Sequence, residues 1–247
     1  MATQNDISRH GPTGHIHPVS QLMRDIVRIW TDVGFSFAEG PEIESEHYNF
    51  DALNVPKDHP ARDMQDTFYI AGRSGFVLRT HTSPVQIRYM ESRTPPIRII
   101  VPGKVFRNEA TDMTHEAQFY QLEGLMVDRG ISLGHLKGAL EHFFKELFQG
   151  SVEVRFRPSF FPFVEPGVEV DMRVNSPDAP EKLRGRWIEM MGAGMVHPSV
   201  LRAGNIDPEI YSGFAFGMGI DRLAMLYFGV DDVRHFYTGD LRFVSQF

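Results

Sequence analysis

Residues 97–127 read IRIIVPGKVFRNEATDMTHEAQFYQLEGLMV, and this stretch decides the fold class. The apolar segments on both sides of Pro102-Gly103 predict two short strands. A polar loop over 108–117 follows them, and 118–127 predicts a returning strand. Because no helix intervenes, we expect the flanking strands to pair antiparallel as a hairpin.

Outward from this hairpin, predicted strands outnumber predicted helices. Apolar and charged residues alternate over 152–157 and 168–174, which is typical of half-buried strands. A Gly- and Phe-rich strand over 213–219 runs into a helix. Apolar residues of 19–33 recur at three and four, which predicts a helix opened by Pro18. The expected fold is therefore α+β, an antiparallel sheet flanked by helices.

Three local patterns complete the predicted elements. Ser83-Pro84 predicts a helix whose start is capped by a hydroxyl. Ser132 predicts the cap of a second helix, which ends at Gly150. The prolines and glycine of 160–167 predict an irregular, rigid loop that holds three aromatic residues.

Composition bounds the class of protein. The chain has 247 residues with a formal charge of −7 and contains no cysteine, which excludes disulfides and a thiolate nucleophile. A net acidic chain is a poor stand-alone binder of long nucleic acid, although a local basic site stays open. The sequence shows no secretory signal and no membrane span, which favours the cytoplasm. We expect a flexible leader over 1–16 and one domain over 17–247.

The hairpin and its return strand carry the first candidate residues. Arg107 at the strand end can grip a phosphate, and Phe119 can stack on a base; alternatively, they form an ion-paired surface hairpin with a core phenylalanine. The period of two places Phe119, Gln121 and Glu123 on one face. If buried, the two polar groups need partners such as a ligand ammonium; if not, this face meets solvent.

Two other segments combine a special backbone with chemistry. The aromatic residues of 160–163 suit the walls of a site for an aromatic ligand, or a hydrophobic plug under a loop. Gly217-x-Gly219 allows a close approach of a ligand to the backbone, and Arg222 follows in the first helical turn. The pattern lacks the Rossmann fingerprint and the Walker lysine, and its alternative is a strand bend with a solvated arginine.

Taken together, these segments resemble the class II aminoacyl-tRNA synthetases and, more narrowly, the catalytic cores of phenylalanine–tRNA ligase alpha subunits. The helix after His17 with 34–44 resembles motif 1, 106–119 resembles motif 2, and 217–222 resembles motif 3. The segments that join these motifs also resemble the family; they are HPARDMQDTFY, RTHTSPVQIR, RFRPSFFPF and GAGMVHP. The resemblance implies the antiparallel sheet that the strand pattern predicts.

The resemblance implies a two-step reaction and the residues of its ATP site. ATP and L-phenylalanine give phenylalanyl-adenylate, and the acyl group then passes to tRNA(Phe). Arg107 is expected to bind the α-phosphate and, with Arg222, to be catalytic. The residues implied to bind ATP are Arg107, Glu109, His115, Phe119 and Arg222, with the adenine between Phe119 and Arg222.

The resemblance also implies an amino-acid site, a metal and partners. The residues implied to hold phenylalanine are His81, Ser83, Gln121, Glu123, Phe161, Phe163, Val164 and Ala215. Glu165 is implied to bind Mg²⁺ at a position shared with a beta subunit, within an α2β2 assembly. The family's N-terminal coiled-coil arm, which contacts tRNA, is not expected before His17, so the resemblance supports amino-acid activation more than full tRNA charging.

Two rival interpretations remain at this point. The chain could be a non-catalytic paralogue that keeps the fold as a ligand-binding or regulatory module. Intact Arg107, Glu123 and Arg222 argue against that interpretation. It could also be a related class II enzyme for another large amino acid, and the Phe161-Pro162-Phe163 segment favours phenylalanine instead.

Overall fold

The structure is a computed structural model that describes residues 14–63, 66–149, 152–175 and 184–247. Most of the predicted leader, most of the loop after residue 175, and Gly150 lie outside these residues. In the described ranges, no helix combines the length and apolar character of a membrane span.

The described residues form seven α-helices, three short 3-10 helices and nine strands. The α-helices are α1 Pro18–Asp32, α2 Glu46–Asn49, α3 Pro84–Ser92, α4 Leu133–Phe148, α5 Pro198–Ala203, α6 Ile220–Phe228 and α7 Leu241–Val244. The 3-10 helices are Asp51–Leu53, Pro60–Arg62 and Val233–Phe236. The strands are β1 Ser36–Phe37, β2 Ile43–Ser45, β3 Phe76–Leu78, β4 Ile97–Phe106, β5 Gln118–Asp128, β6 Val152–Phe161, β7 Val164–Val174, β8 Ile188–Val196 and β9 Ser212–Gly219.

Seven strands form one sheet in the order β1-β4-β5-β9-β8-β7-β6, and β2 pairs with β3 separately. All neighbours in the large sheet are antiparallel except β1 and β4. The predicted α+β class, with an antiparallel sheet flanked by helices, is confirmed. The hairpin of β4 and β5 around the 108–117 loop is also as predicted.

The break predicted at Pro102-Gly103 is wrong, because β4 runs through both residues. Strand β1 pairs with β4 only at Ile99 and Ile100. Pro102 therefore lies where β4 has a free edge, and a proline without an N–H is tolerated there. Gly103 leaves room for Arg79, because a Cβ at this position would come within 2.3 Å of its guanidinium.

The irregular loop predicted over 160–167 is also wrong. Strands β6 and β7 form a hairpin with a two-residue turn, Pro162 and Phe163. The prolines do not prevent strand formation here. Pro166 is tolerated in β7 because the register between β7 and β8 shifts between Val164 and Gly167, which interrupts their ladder at that point. Phe163 packs against buried hydrophobic residues on the sheet face that α2, α3 and α5 cover, while Phe160 is 82% exposed.

The two faces of the sheet are covered by different helices. On one face, α1, α4 and α6 enclose the larger core, in which Trp30 stacks on Phe143 and Phe216 with ring centroids 5.3 and 4.8 Å apart. On the other face, α2, α3 and α5 cover a second core over β4 and β5. Leu125 and Val127, which follow Gln121 and Glu123 at the same period of two, belong to this second core, so the predicted shared face of β5 is confirmed.

Helix capping follows the sequence at one position and departs from it at another. Ser132 forms a capping box with His135 at the start of α4, as predicted, and Gln149 adopts the left-handed conformation after its last residue. Ser83 occupies the N-cap position of α3, but its side chain accepts no hydrogen bond from the helix. The predicted capping role of its hydroxyl is therefore wrong, and the hydroxyl has another partner in the site.

Candidate active site

A single buried carboxylate organises the second face of the sheet. Glu123 on β5 is only 4% exposed and lies opposite the start of α3. Its Oε1 accepts the Thr82 N–H at 3.2 Å, and its Oε2 accepts the Ser83 hydroxyl at 2.5 Å and the Gln86 amide at 2.8 Å. The start of α3 thus receives a carboxylate, and this carboxylate is the protein's own.

Burial gives two side chains of the site unusual pKa values. Burial raises the pKa of Glu123 to about 7, although hydrogen bonds from Ser83, Thr82 and Gln86 oppose this shift. Burial, followed by the nearby Arg107 charge, lowers the pKa of His81 to about 3. At neutral pH the site therefore holds a neutral imidazole beside a carboxyl group poised between its charged and neutral forms.

Arg107 lies where the β4–β5 hairpin opens into its loop. Its backbone N–H donates to the Ala117 carbonyl at 3.0 Å, and its Nε donates to the Thr80 carbonyl at 3.2 Å. The guanidinium carbon lies 5.1 Å from the centre of the Phe119 ring. Burial lowers the pKa of Arg107, but a guanidinium keeps its charge at neutral pH. The arrangement directs a fixed positive charge to the edge of the site.

Arg107 and all eight residues predicted to hold the amino acid line one cavity of about 310 Å³. This volume is at the small end for ligand pockets and suits a ligand of amino-acid size. One end is polar and the other is apolar. The polar lining is His81, Ser83, Gln86, Arg107, Gln121 and Glu123, and the remaining lining is Leu53, Phe161, Phe163, Val164, Gly192, Ala193, Val196, Val200, Ala215, Phe216 and Gly217.

Two buried polar atoms of this lining have no hydrogen-bond partner among the described residues. They are Gln121 Oε1 and His81 Nδ1. Leaving such atoms unsatisfied is costly, so their presence in a cavity indicates that a ligand supplies the missing partners. Neutral His81 can accept a hydrogen bond at Nδ1, and the Gln121 oxygen is an acceptor as well. With Glu123, three acceptors therefore line the polar end.

Aromatic rings form part of the apolar end. Phe161, the last residue of β6, and Phe163, in the turn that follows, have ring centroids 6.0 Å apart at an interplanar angle of 20°. Gly192 on β8 makes this possible, because a Cβ there would come within 2.8 Å of the Phe161 ring. The interpretation of these aromatics as cavity walls is thus favoured over a hydrophobic plug.

The other predicted residues lie outside the cavity lining. Arg222 is exposed in the first turn of α6, and Glu109 and His115 are exposed on the 108–117 loop. The His115 imidazole lies 3.1 Å from the Asp112 carboxylate. Phe119 is half-buried, two residues before Gln121 on β5. These residues come from the 108–117 loop, the start of β5 and the start of α6.

Glu165 stands apart from both groups. It is on β7, its side chain is 75% exposed, and a carboxylate oxygen lies 3.3 Å from His197 Nε2. Within the ranges that the structure describes, no three His, Asp or Glu side chains cluster in a way that could hold a metal.

Sequence reasoning missed several lining residues. Gln86 binds Glu123 directly, and its spacing of three from Ser83 on a predicted helix was the available signal. Leu53, Gly192 and Val200 carry no comparable signal, because they come from distant segments that only the folded sheet brings together.

Comparisons with known proteins agree with this geometry. The family model described as "tRNA synthetases class II core domain (F)" matches residues 4–247. The phenylalanine–tRNA ligase alpha subunit of Dehalococcoides mccartyi is 54% identical over 247 residues, which are 97% of this chain and 71% of that protein. The alpha subunit of the same ligase from Syntrophus aciditrophicus is 54% identical over 95% of this chain and 69% of its own length. Its counterpart from Prochlorococcus marinus is 52% identical, with shares of 96% and 67%.

Proposed function

Because the chain belongs to the family of class II tRNA synthetase core domains, we propose that it activates L-phenylalanine with ATP and transfers the acyl group to tRNA(Phe). In this proposal it is the catalytic alpha subunit of a phenylalanine–tRNA ligase, and 17–247 form its catalytic domain. The supporting observation is the cavity itself, which joins an aromatic end to a cluster of unsatisfied acceptors.

The polar end of the cavity matches the ammonium group of an amino acid. An ammonium has three N–H donors and one positive charge. Gln121 Oε1 and His81 Nδ1 are acceptors without partners in the described residues, and Glu123 supplies the negative charge. Ser83 and Gln86 hold the Glu123 carboxylate in place at 2.5 and 2.8 Å. An amino acid bound in this way directs its side chain to the aromatic end.

The apolar end gives selectivity for phenylalanine. In this proposal Phe161 and Phe163, which line the cavity, contact the substrate ring edge-on, and Val164 and Ala215 shape the bottom of the cavity. A tyrosine hydroxyl directed at Val164 and Ala215 would lose its water without gaining a partner, so the site disfavours it.

Chemistry needs no side-chain nucleophile. The substrate carboxylate oxygen forms a bond to the α-phosphorus of ATP, the bond to the β-phosphate oxygen breaks, and pyrophosphate leaves. Arg107 stabilises the charge that develops on the α-phosphate. It suits this role because its Nε is fixed on the Thr80 carbonyl, which leaves its other N–H groups for the phosphate. In the second step a ribose hydroxyl of tRNA attacks the acyl carbonyl, and AMP leaves.

The remaining ATP contacts are part of the same proposal. Phe119 and Arg222 stack on the two faces of the adenine, and Glu109 and His115 hold the triphosphate from the 108–117 loop. The exposure of Glu109, His115 and Arg222 supports this, because ATP needs access from solvent while the amino acid fills the cavity.

Magnesium bound at Glu165 would join this chain to a beta subunit, because Glu165 stands apart from the residues proposed to hold ATP. Glu165 fits as one of its ligands, because its exposed carboxylate leaves room for the waters that this ion retains. Because the described residues offer no cluster of three ligands, we propose that groups outside this chain complete the site.

The proposal extends to partners and location. A beta subunit in an α2β2 assembly is its partner, and the reaction is cytoplasmic. The chain's charge of −7 supports a division of labour, in which tRNA affinity comes largely from elements other than this core.

One assay tests the proposed function against its rivals. Phenylalanine-dependent ATP–pyrophosphate exchange is measured with the chain alone and with a beta subunit. Exchange with phenylalanine is the expected result. Its absence in both preparations would favour the binding-module interpretation, and exchange with another amino acid only would favour the related class II enzyme.

Enlarging the bottom of the cavity should broaden its specificity. Ala215→Gly removes one methyl group from the wall, so we expect exchange with para-chlorophenylalanine to rise about tenfold relative to phenylalanine. Ala203→Gly, on α5 outside the cavity lining, is the control. An unchanged ratio for Ala215→Gly would show that Ala215 does not limit the para position.

Phenylalanine binding should depend on pH through Glu123. The ammonium needs the charged carboxylate, which is increasingly protonated as the pH falls below about 7. We therefore expect kcat/KM for phenylalanine to fall about tenfold from pH 7.5 to 6, while the KM for ATP changes little. A flat profile for phenylalanine over this interval would contradict the pairing of Glu123 with the ammonium.

A further inference from the structure

The segment 233–237, which follows α6, contacts the 108–117 loop and the first turn of α6. It contains none of the predicted site residues. Its central contact is Asp221, which is 4% exposed in the first turn of α6. Asp221 Oδ2 accepts the Tyr120 backbone N–H at 2.6 Å. Asp221 Oδ1 accepts a short hydrogen bond from the Tyr237 hydroxyl.

These two hydrogen bonds join the elements that carry the adenine-stacking pair. Tyr120 directly follows Phe119 on β5, and Asp221 directly precedes Arg222 on α6. The Asp221 carboxylate therefore connects the two backbones from which Phe119 and Arg222 project. Fixing this connection fixes the gap between the two side chains, and a flat base requires a gap of set width.

Tyr237 is the side chain that completes this connection. Burial raises the pKa of Asp221, and hydrogen bonds from Tyr237 and from the Tyr120 N–H oppose that shift. Without the hydroxyl, Oδ1 of this buried carboxyl group would lose the donor that Tyr237 supplies, and such a loss favours rearrangement of the group. The first turn of α6 would then no longer be held at one position.

The same segment holds the loop that carries His115. The Val233 N–H donates to the Met113 carbonyl at 2.9 Å, within the 108–117 loop. The segment is itself anchored, because the Phe236 carbonyl lies 2.9 Å from His17 Nε2 at the start of α1. It therefore braces the motif 3 helix and the motif 2 loop from one side.

We propose that Tyr237 is a positioning residue for ATP, which acts through Asp221 to set the spacing of Phe119 and Arg222. The inference rests on the proposed function, because it assigns a base to that gap. Residues 233–237 thereby support the ATP site, and they do not contact the amino acid.

The test removes only the hydroxyl. In Tyr237→Phe, combined with a beta subunit, we expect the KM for ATP in pyrophosphate exchange to rise about tenfold and the KM for phenylalanine to stay within about twofold. Tyr227→Phe is the matched control, since it removes a hydroxyl from α6 at a ring that packs on Phe148 and Phe228. Asp221→Asn combined with Tyr237→Phe should be no worse than the worse single variant, because both changes break one connection.

The outcomes separate this inference from the proposed function. Exchange that persists with an unchanged KM for ATP, or with equal rises for both substrates, would overturn the role of Tyr237 and leave the function intact. If the wild type shows no exchange, the proposed function fails, and equilibrium dialysis with ATP decides the inference. Weaker ATP binding by Tyr237→Phe than by the wild type would support the inference. Equal ATP binding by the two proteins, or no ATP binding by the wild type, would overturn it.

Discussion

Glu123→Gln should lower phenylalanine-dependent pyrophosphate exchange by about 10²- to 10³-fold. The substitution keeps the shape of the side chain but removes the negative charge that pairs with the substrate ammonium. An ammonium bound against neutral acceptors in a buried site keeps its desolvation cost without its counter-charge. The loss should appear in kcat/KM for phenylalanine, and the KM for ATP should change little.

The same substitution should stabilise the fold above neutral pH. Glu123 has a pKa of about 7 in the folded chain against an ordinary value of 4.5, so the folded state favours the protonated form. The stability that this form confers is fully present below pH 4.5 and is lost as the pH rises through 7. Glutamine stays neutral at every pH. We therefore expect Glu123→Gln to raise the free energy of unfolding by about 2–3 kcal/mol at pH 8 and to change it little at pH 4.5.

Denaturant unfolding at the two pH values, together with exchange assays, measures both effects. Glu141→Gln is the matched control, because Glu141 lies on α4 in a surface pair with Lys137. It should leave activity unchanged and stability within about 0.5 kcal/mol. If Glu123→Gln kept exchange within threefold of the wild type, Glu123 would not be the ammonium partner.

Arg107→Lys should lower the maximal rate of exchange by about 10³-fold. Arg107 uses Nε to hold the Thr80 carbonyl and keeps the rest of its planar fork for phosphate. A lysine ammonium is a single point of charge and cannot make both sets of contacts. Because the loss concerns charge that develops during the reaction, the KM for phenylalanine should stay within about threefold.

Single-turnover adenylate formation distinguishes this chemical effect from altered binding. Arg242→Lys serves as the control, since Arg242 is 91% exposed and pairs with Asp240 on the surface. A lysine variant at 107 with more than a tenth of the wild-type rate would argue that Arg107 does not bind the reacting phosphate.

Local patterns predicted the elements well where the governing forces are local. The alternation that placed Gln121 and Glu123 on one face is a property of any strand, and the folded sheet follows it. The break expected at Pro102 failed because the tolerance for a proline depends on whether the neighbouring strand extends that far. That information lies elsewhere in the chain.

Sites depend more strongly on distant contacts than elements do. Ser83 was predicted to cap α3, but a carboxylate 40 positions away competes for its hydroxyl. All eight residues that resemblance implied for the amino acid line the cavity, whereas their partner Gln86 was missed. A resemblance transfers contacts to a substrate, and it does not report the contacts that hold those residues in place.

The opposite walls of the cavity differ in how freely they can evolve. Phe216 packs across Gly124, where any Cβ would come within 2.2 Å of its ring, and it stacks on Trp30 in the larger core. A change on that wall disturbs the whole fold. Phe161 instead ends β6, the edge strand of the sheet, and Phe163 lies in the two-residue turn after it. Substitutions that change amino-acid specificity should therefore be tolerated at this turn, and at the small Ala215 side chain, more readily than at Phe216.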